Sequence, residues 1–205
     1  MRIINAGYEI MTPIDGLEIL KHIERCGRVC YKSEDKITDG SRLKFVADII
    51  KRGHESVLEH FSFTVKFIVD RGVSHEIVRH RIASYSQEST RYCNYSGNKF
   101  GNEITVIEPC FWPSCDARYN GWRLACENAE GSYFDLLRAG VSPQEARSVL
   151  PNSLKTELVM TANLREWRHF FRLRTSAAAH PQMREVTIPL LAELKTLIPV
   201  VFDDI

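Results

Sequence analysis

The chain has no run approaching the roughly 18 apolar residues that a membrane-spanning helix needs, so no membrane partner is expected. It also lacks a charge imbalance. With 27 Lys and Arg against 26 Asp and Glu the formal net charge is +1, which disfavours a general nucleic-acid binder and confines basic character to local patches. The CxxC spacing is missing too. The six cysteines, Cys26, Cys30, Cys93, Cys110, Cys115 and Cys126, are scattered, so reduced thiols with packing roles for some are expected and a zinc site is not. Met1–Asn5 has neither the basic start nor the apolar core of a signal peptide, and a cytoplasmic location is the expectation. Repeats, low-complexity tracts and linkers are absent, so residues 1–205 are expected to form a single domain.

What is present is an ordinary globular composition, 44% hydrophobic over 205 residues, enough for a sizeable core. Loose alternation over residues 2–11 predicts a strand. Helical spacing from Leu17 to Val29 predicts a first helix, and a second runs through Ile50 with Ser41 as cap and Gly53 as stop. Phe61–Val69 alternates as a half-buried strand and feeds a short helix ending near Arg79, after which the chain is expected to run out into a loop.

Residues 96–102 are turn-rich, and Ile104–Ile107 is a short strand. Residues 117–139 read as an amphipathic helix on Trp122, Leu124, Ala125, Ala129, Tyr133, Leu136 and Leu137, ended by Gly140. Ser142, Pro143 and Glu145 start another through a capping box. Leu154, Thr156, Leu158, Met160 and Ala162 form one face of a strand. Helices over 163–173 and 181–197 follow.

Chemistry gathers in three places. Arg79 to Tyr92 holds three arginines, a histidine and four serine or threonine hydroxyls within fourteen residues, many donors and fixed positive charges for an anion. His54-Glu55 with Glu59-His60 suggests a metalloprotease, but those histidines are six apart and zinc proteases need them four apart on one helical face. No metal is therefore expected. Arg165, Arg168, His169 and Arg172 recur at helical spacing, followed by Arg174 and His180. Taken singly, each pattern also suits a solvated surface.

Together they resemble one family, the flavin-dependent thymidylate synthases. Its signature of Arg-His-Arg, seven residues, then Ser is matched by Arg79-His80-Arg81 and Ser89, followed by Arg91-Tyr92. Gly53-His54-Glu55-Ser56 with Glu59-His60-Phe61, Ala146-Arg147-Ser148-Val149-Leu150-Pro151, and Asn163-Leu164-Arg165 with Leu173-Arg174 and His180 are similar to further family segments in the same order. The resemblance covers about residues 50–185.

It implies an α+β fold, an antiparallel sheet flanked by helices, in a homotetramer with sites between subunits. The implied reaction is methylation of dUMP to dTMP with 5,10-methylenetetrahydrofolate, FAD as redox carrier and NADPH as reductant. Nucleic acid is not an implied partner. Carried over by position, Glu76, Arg79, Gln87, Glu88, Ser89, Thr90, Arg91, Arg147 and Arg174 fall on dUMP, with Arg174 catalytic. His54, Ser56, Glu59, Arg79, His80, Arg81, Gln87, Asn163, Arg165, His169 and His180 fall on FAD. Glu76, Gln87 and His169 replace the Gln, Glu and Asn of some members. A non-enzymatic nucleotide- or RNA-binding module using the arginines with Tyr85, Tyr92 and Tyr95 gives no reason for the sets at 54–60 and 163–180.

Overall fold

The computed structural model describes residues 1–97 and 100–205. Its strands are β1 (Arg2–Ile4), β2 (Gly7–Ile10), β3 (Ser62–Asp70), β4 (Ala83–Gln87), β5 (Thr105–Ile107) and β6 (Lys155–Asn163). Its helices are α1 (Gly16–Val29), α2 (Ser41–Lys51), α3 (Arg71–Ile77), α4 (Ala117–Arg138), α5 (Pro143–Ala146), α6 (Leu164–Arg174) and α7 (Pro181–Leu197). The chain divides into two compact units. The first comprises Met1–Gly7, Phe67–Arg79 and Ser86–Val159, the second Tyr8–Lys66, His80–Tyr85 and Met160–Ile205.

β2, β3, β6 and β4 lie in that order in one sheet, and β1 pairs in parallel with β5 in another. The long strands β3 and β6 are antiparallel: Leu164 N–H donates to the Phe61 carbonyl, the Thr64 and Thr161 hydroxyls meet at 2.8 Å, and Arg71 N–H points at the Asn152 and Leu154 carbonyls. Both alternate in burial, β6 throughout and β3 up to Val69, as one-faced strands must. Phe63, Val65, Phe67 and Val69 are fully buried on β3; Thr156, Leu158, Met160 and Ala162 are buried on β6.

In the first unit, Tyr95, Ile104, Val106, Cys126, Tyr133, Ala146 and Leu154 form a core cluster. The seam of α4 is Tyr119, Cys126 and Tyr133, seven residues apart, while Leu124, expected on the apolar face, is exposed. In the second unit α6 presses Trp167, Phe170 and Phe171 inward, and the Trp167 ring stacks on Phe63 at 4.8 Å. The helix starts because the Asn163 carbonyl oxygen of the side chain accepts from Glu166 N–H at 2.9 Å, satisfying one of the unpaired first-turn donors.

Three local expectations need correction. The single strand over 2–11 is two, because residues 2–4 and 7–10 pair in different sheets. The cap of α2 is Gly40, and Ser41 is its first residue; the Ser41 hydroxyl accepts from Thr38 N–H at 2.9 Å and lies 2.8 Å from the buried Glu24 carboxylate. Residues 83–87, expected in a loop, are β4, an edge strand beside β6 whose Ala83, Tyr85 and Gln87 are half-buried while Ser84 and Ser86 are exposed. An edge strand tolerates that polar composition because only one face is packed. The turn expected over 96–102 includes 98 and 99, which lie outside the described residues; Gly101 and Asn102 have φ of +69° and +57°.

Candidate active site

The residues matched to dUMP, Arg174 excepted, belong to the first unit, and those matched to FAD, Arg79 and Gln87 excepted, to the second. In the first unit β4 ends at Gln87 and the chain turns at once. Ser89 Oγ accepts from Arg91 N–H at 3.2 Å, and the Ser89 carbonyl accepts from Tyr92 and Cys93 N–H. This serine-capped turn holds Arg91 outward, where its Nε donates to Gln144 on α5 at 3.2 Å. Arg147, directly after α5, reaches Thr90 Oγ1 at 3.5 Å. Two exposed guanidiniums thus flank one turn rich in hydroxyls.

Behind the turn the polar groups are paired. Gln87 donates to Ser74 Oγ at 2.9 Å and Thr156 Oγ1 at 3.3 Å. Arg71 Nη1 donates to the Glu88 carbonyl at 3.3 Å, and Lys155 bridges the Glu88 and Glu157 carboxylates at 2.9 and 2.8 Å. Burial opposes the Lys155 charge, yet these two carboxylates raise its pKa overall. Glu88 is therefore held as part of an ion-pair cluster. Neither Arg71 nor Lys155 was flagged by sequence, because a lone cation between motifs carries no pattern.

In the second unit a pocket of about 500 Å³ is lined by Glu55, Glu59, Ile82, Asn163, Arg165, Glu166, His169 and Arg172. Arg165 Nη1 pairs with Glu59 at 2.6 Å. His80, only 5% exposed, places Nδ1 3.0 Å from Glu166 Oε1 and accepts at Nε2 from Arg174 Nε–H at 3.1 Å. Tyr85 Oη donates to the His80 carbonyl at 2.7 Å, and burial pushes the Tyr85 hydroxyl up to about 12. Burial lowers the His80 pKa and Arg174 and His169 push the same way, against the pull of the Glu166 bond. A neutral imidazole follows.

His54 and Ser56 lie elsewhere in this unit, on a pocket of about 850 Å³ walled by α1 and α2 that also presents Arg28, Lys36, Lys44 and Arg52. The structure assigns His180 a cap role, its Nδ1 accepting from Gln182 N–H at 3.3 Å. Arg79 and Arg81 are exposed, and Glu76 is half-buried on α3. Arg168, one of the arginines at helical spacing, is wholly buried and bonds Glu55 and Asp204. Sequence reasoning missed Glu166; its signal was a carboxylate three residues past the Asn163 cap and four before the apolar Phe170, hence on the inward side of α6.

The fold is α+β, with a carboxylate–imidazole–guanidinium chain in one unit and an arginine-flanked turn in the other. The family described as "Thymidylate synthase complementing protein" matches residues 15–200. A flavin-dependent thymidylate synthase of Geobacter sulfurreducens is 35% identical over 184 residues, covering 86% of this chain and 78% of that one. Another, of Pyrococcus furiosus, is 33% identical over 183 residues, covering 89% and 74%. In fold, the chain is similar to a UMP/dUMP methylase from Streptomyces cacaoi crystallised with 5-Br UMP, with a TM-score of 0.79 over 99% of this chain and 95% of that one at 20% identity. The chain belongs to the thymidylate synthase complementing protein family, the flavin-dependent thymidylate synthases.

Proposed function

We propose that the chain methylates dUMP to dTMP, taking the methylene of 5,10-methylenetetrahydrofolate and leaving tetrahydrofolate, with FAD as the carrier of reducing equivalents and NADPH as their source. The observation that carries the reading is the meeting of Arg147 with the turn at Ser89–Tyr92, 57 residues away in sequence from Thr90. A nucleotide monophosphate brings a compact dianion. Forked guanidiniums at Arg91 and Arg147 and hydroxyls at Ser89 and Thr90 are the donors such a group selects. Glu76, Arg79, Gln87 and Glu88 complete the nucleotide set in this reading, Gln87 and Glu88 by fixing the turn from behind. Arg174 serves the base: methylation needs an electron-rich uracil carbon, and a guanidinium held by His80 at 3.1 Å stabilises the negative charge that develops on the ring.

The residues suit FAD in kind. Pockets of about 500 and 850 Å³ fall within the range of about 300–1,000 Å³ typical of small-molecule sites. Arg165 and His169 offer donors around the smaller one, with Asn163 and Glu59 beside them. Near His54 and Ser56, Lys36, Lys44 and Arg52 suit a pyrophosphate. His80, Arg81, Arg79, Gln87 and His180 belong to the same proposed set. The chain works in this reading as one domain over 1–205, in a cytoplasmic homotetramer whose subunits share each site.

Purification tests the reading. A yellow protein that releases FAD on denaturation and forms dTMP from dUMP, methylenetetrahydrofolate and NADPH is expected; a colourless one that takes up neither FAD nor dUMP ends it. Arg174→Ala is expected to lose most dTMP formation while keeping its flavin, and undiminished turnover at saturating dUMP would remove Arg174 from catalysis.

A further inference from the structure

Glu166 is a carboxylate 8% exposed that neither the family motifs nor the reading above uses. Its place is set by the fold: it sits in the first turn of α6, its own N–H capped by Asn163 at 2.9 Å, where the positive end of the helix dipole favours an anion. Its Oε1 faces His80 Nδ1 at 3.0 Å, and the other ring nitrogen faces Arg174 Nε at 3.1 Å.

The proton on the ring can be assigned by elimination. Arginine Nε always carries hydrogen and can only donate, so His80 Nε2 must offer its lone pair. A neutral ring then carries its proton on Nδ1, and that proton goes to Glu166. Tyr85 fixes the backbone of His80 through its carbonyl at 2.7 Å, and the Phe170 ring abuts the imidazole edge-on with centroids 4.9 Å apart. The ring therefore has one orientation and one tautomer.

The same side chains, with His169, bring potential ligand atoms within 4.8 Å of one another, as a metal site would. A cation there would need a lone pair that His80 already commits to Arg174, and it would sit beside a guanidinium. The hydrogen-bond chain uses every donor and acceptor of the ring without that conflict.

We propose that Glu166 is a positioning residue for Arg174, acting through His80: its carboxylate holds the Nδ1–H tautomer, and the Nε2 lone pair so exposed aims the Arg174 guanidinium. Without the acceptor at Glu166 the ring is free to carry its proton on Nε2, which sets two N–H groups against each other and turns Arg174 away. This rests on the catalytic reading of Arg174 given above.

The test compares Glu166→Leu, Glu166→Gln, Arg174→Ala and the Glu166→Leu/Arg174→Ala double variant in the flavin-loaded protein, reading dTMP turnover, dUMP affinity, flavin content and melting temperature. Glu166→Leu is expected to lower turnover about 10- to 100-fold, as when a group that orients an active imidazole or ligand is removed, with flavin retained. Glu166→Gln, whose amide oxygen still accepts from Nδ1–H, restores most of the loss. On the Arg174→Ala background, Glu166→Leu adds almost nothing to the loss in residual turnover or dUMP affinity. Full additivity, or wild-type turnover in Glu166→Leu, overturns the proposal. If Glu166→Leu does not fold, the wild-type ring decides: ¹⁵N NMR of His80 must show Nδ1–H, and an Nε2–H ring overturns it. A wild-type protein that makes no dTMP fails the proposed function instead, and the His80 tautomer then still reports on the hydrogen-bond chain.

Discussion

At the scale of single residues, the candidate site is made by side chains whose partners lie far off in sequence. His80 and Glu166 are 86 residues apart, and Arg174 is 94 from His80. Every group facing the ring argues for the neutral form except Glu166. Burial comes first, and Arg174 and His169 on α6 add like-charge pressure, with the Tyr85 hydroxyl spent on the backbone carbonyl. Since its folded pKa lies below the ordinary 6.5, His80 contributes stability that is present above 6.5 and lost as pH falls through the folded value. NMR titration is expected to show the His80 ring still neutral at pH 6.5, where an exposed histidine is half protonated. A ring that titrates at or above 6.5 contradicts this.

The motif residues were legible at this scale because the arginines, histidines and hydroxyls stand at fixed offsets. Their second partners were not. Glu166 and Lys155 are not motif residues, and only folding brings them within hydrogen-bond distance of His80 and Glu88.

At the scale of elements, periodicity did its work where one face alone is buried. β3 and β6 alternate in sequence and in burial, and α1, α6 and α7 keep their helical stripes. It failed where pairing decides. Residues 2–10 alternate loosely throughout, yet the partner of the first three is β5 and that of the last four is β3. β4 reads as loop because serine and glutamine hide its period.

A close approach sets the start of α1. A Cβ built on Gly16 would lie 2.0 Å from the Leu197 carbonyl oxygen at the end of α7, too near for any side chain, and the obstacle is backbone. Gly16→Ala is expected to destabilise the protein by about 2 kcal/mol or more, read as a lower urea midpoint with unchanged slope. A midpoint equal to wild type would mean that the two helices separate freely.

At the scale of the molecule, the last residues are tied in by a buried charge. Arg168 on α6 is fully buried, donates to the Val201 carbonyl, and pairs with Asp204 at 2.7 Å and Glu55 at 3.0 Å; Arg172 joins both carboxylates. Burial would raise the Glu55 pKa, but Arg172 and Arg168 bring it below its ordinary 4.5; Arg168 likewise holds Asp204 below 3.8. With folded values depressed, the stabilisation is present above the unfolded values and lost as pH falls from them through the folded ones.

Melting temperature is therefore expected to fall below about pH 4.5, and Arg168→Met, which removes the cation but keeps apolar bulk, should flatten that dependence while lowering stability at neutral pH. A variant with an unchanged acid slope would place the loss in other carboxylates. Sequence spacing grouped Arg168 with outward arginines. The structure separates it, because positions 164, 167, 168 and 171 share the packed face of α6.

By itself the sequence determined most elements and the family and marked the candidate site residues, since hydrophobic period and fixed motif offsets are local properties of the chain. Tertiary structure decided which strand pairs with which and which arginine is buried. It also decided that Glu166, His80 and Arg174 form one hydrogen-bonded line. Hydrogen bonding and burial act through space, and a chain's order does not state which distant segments will share a face.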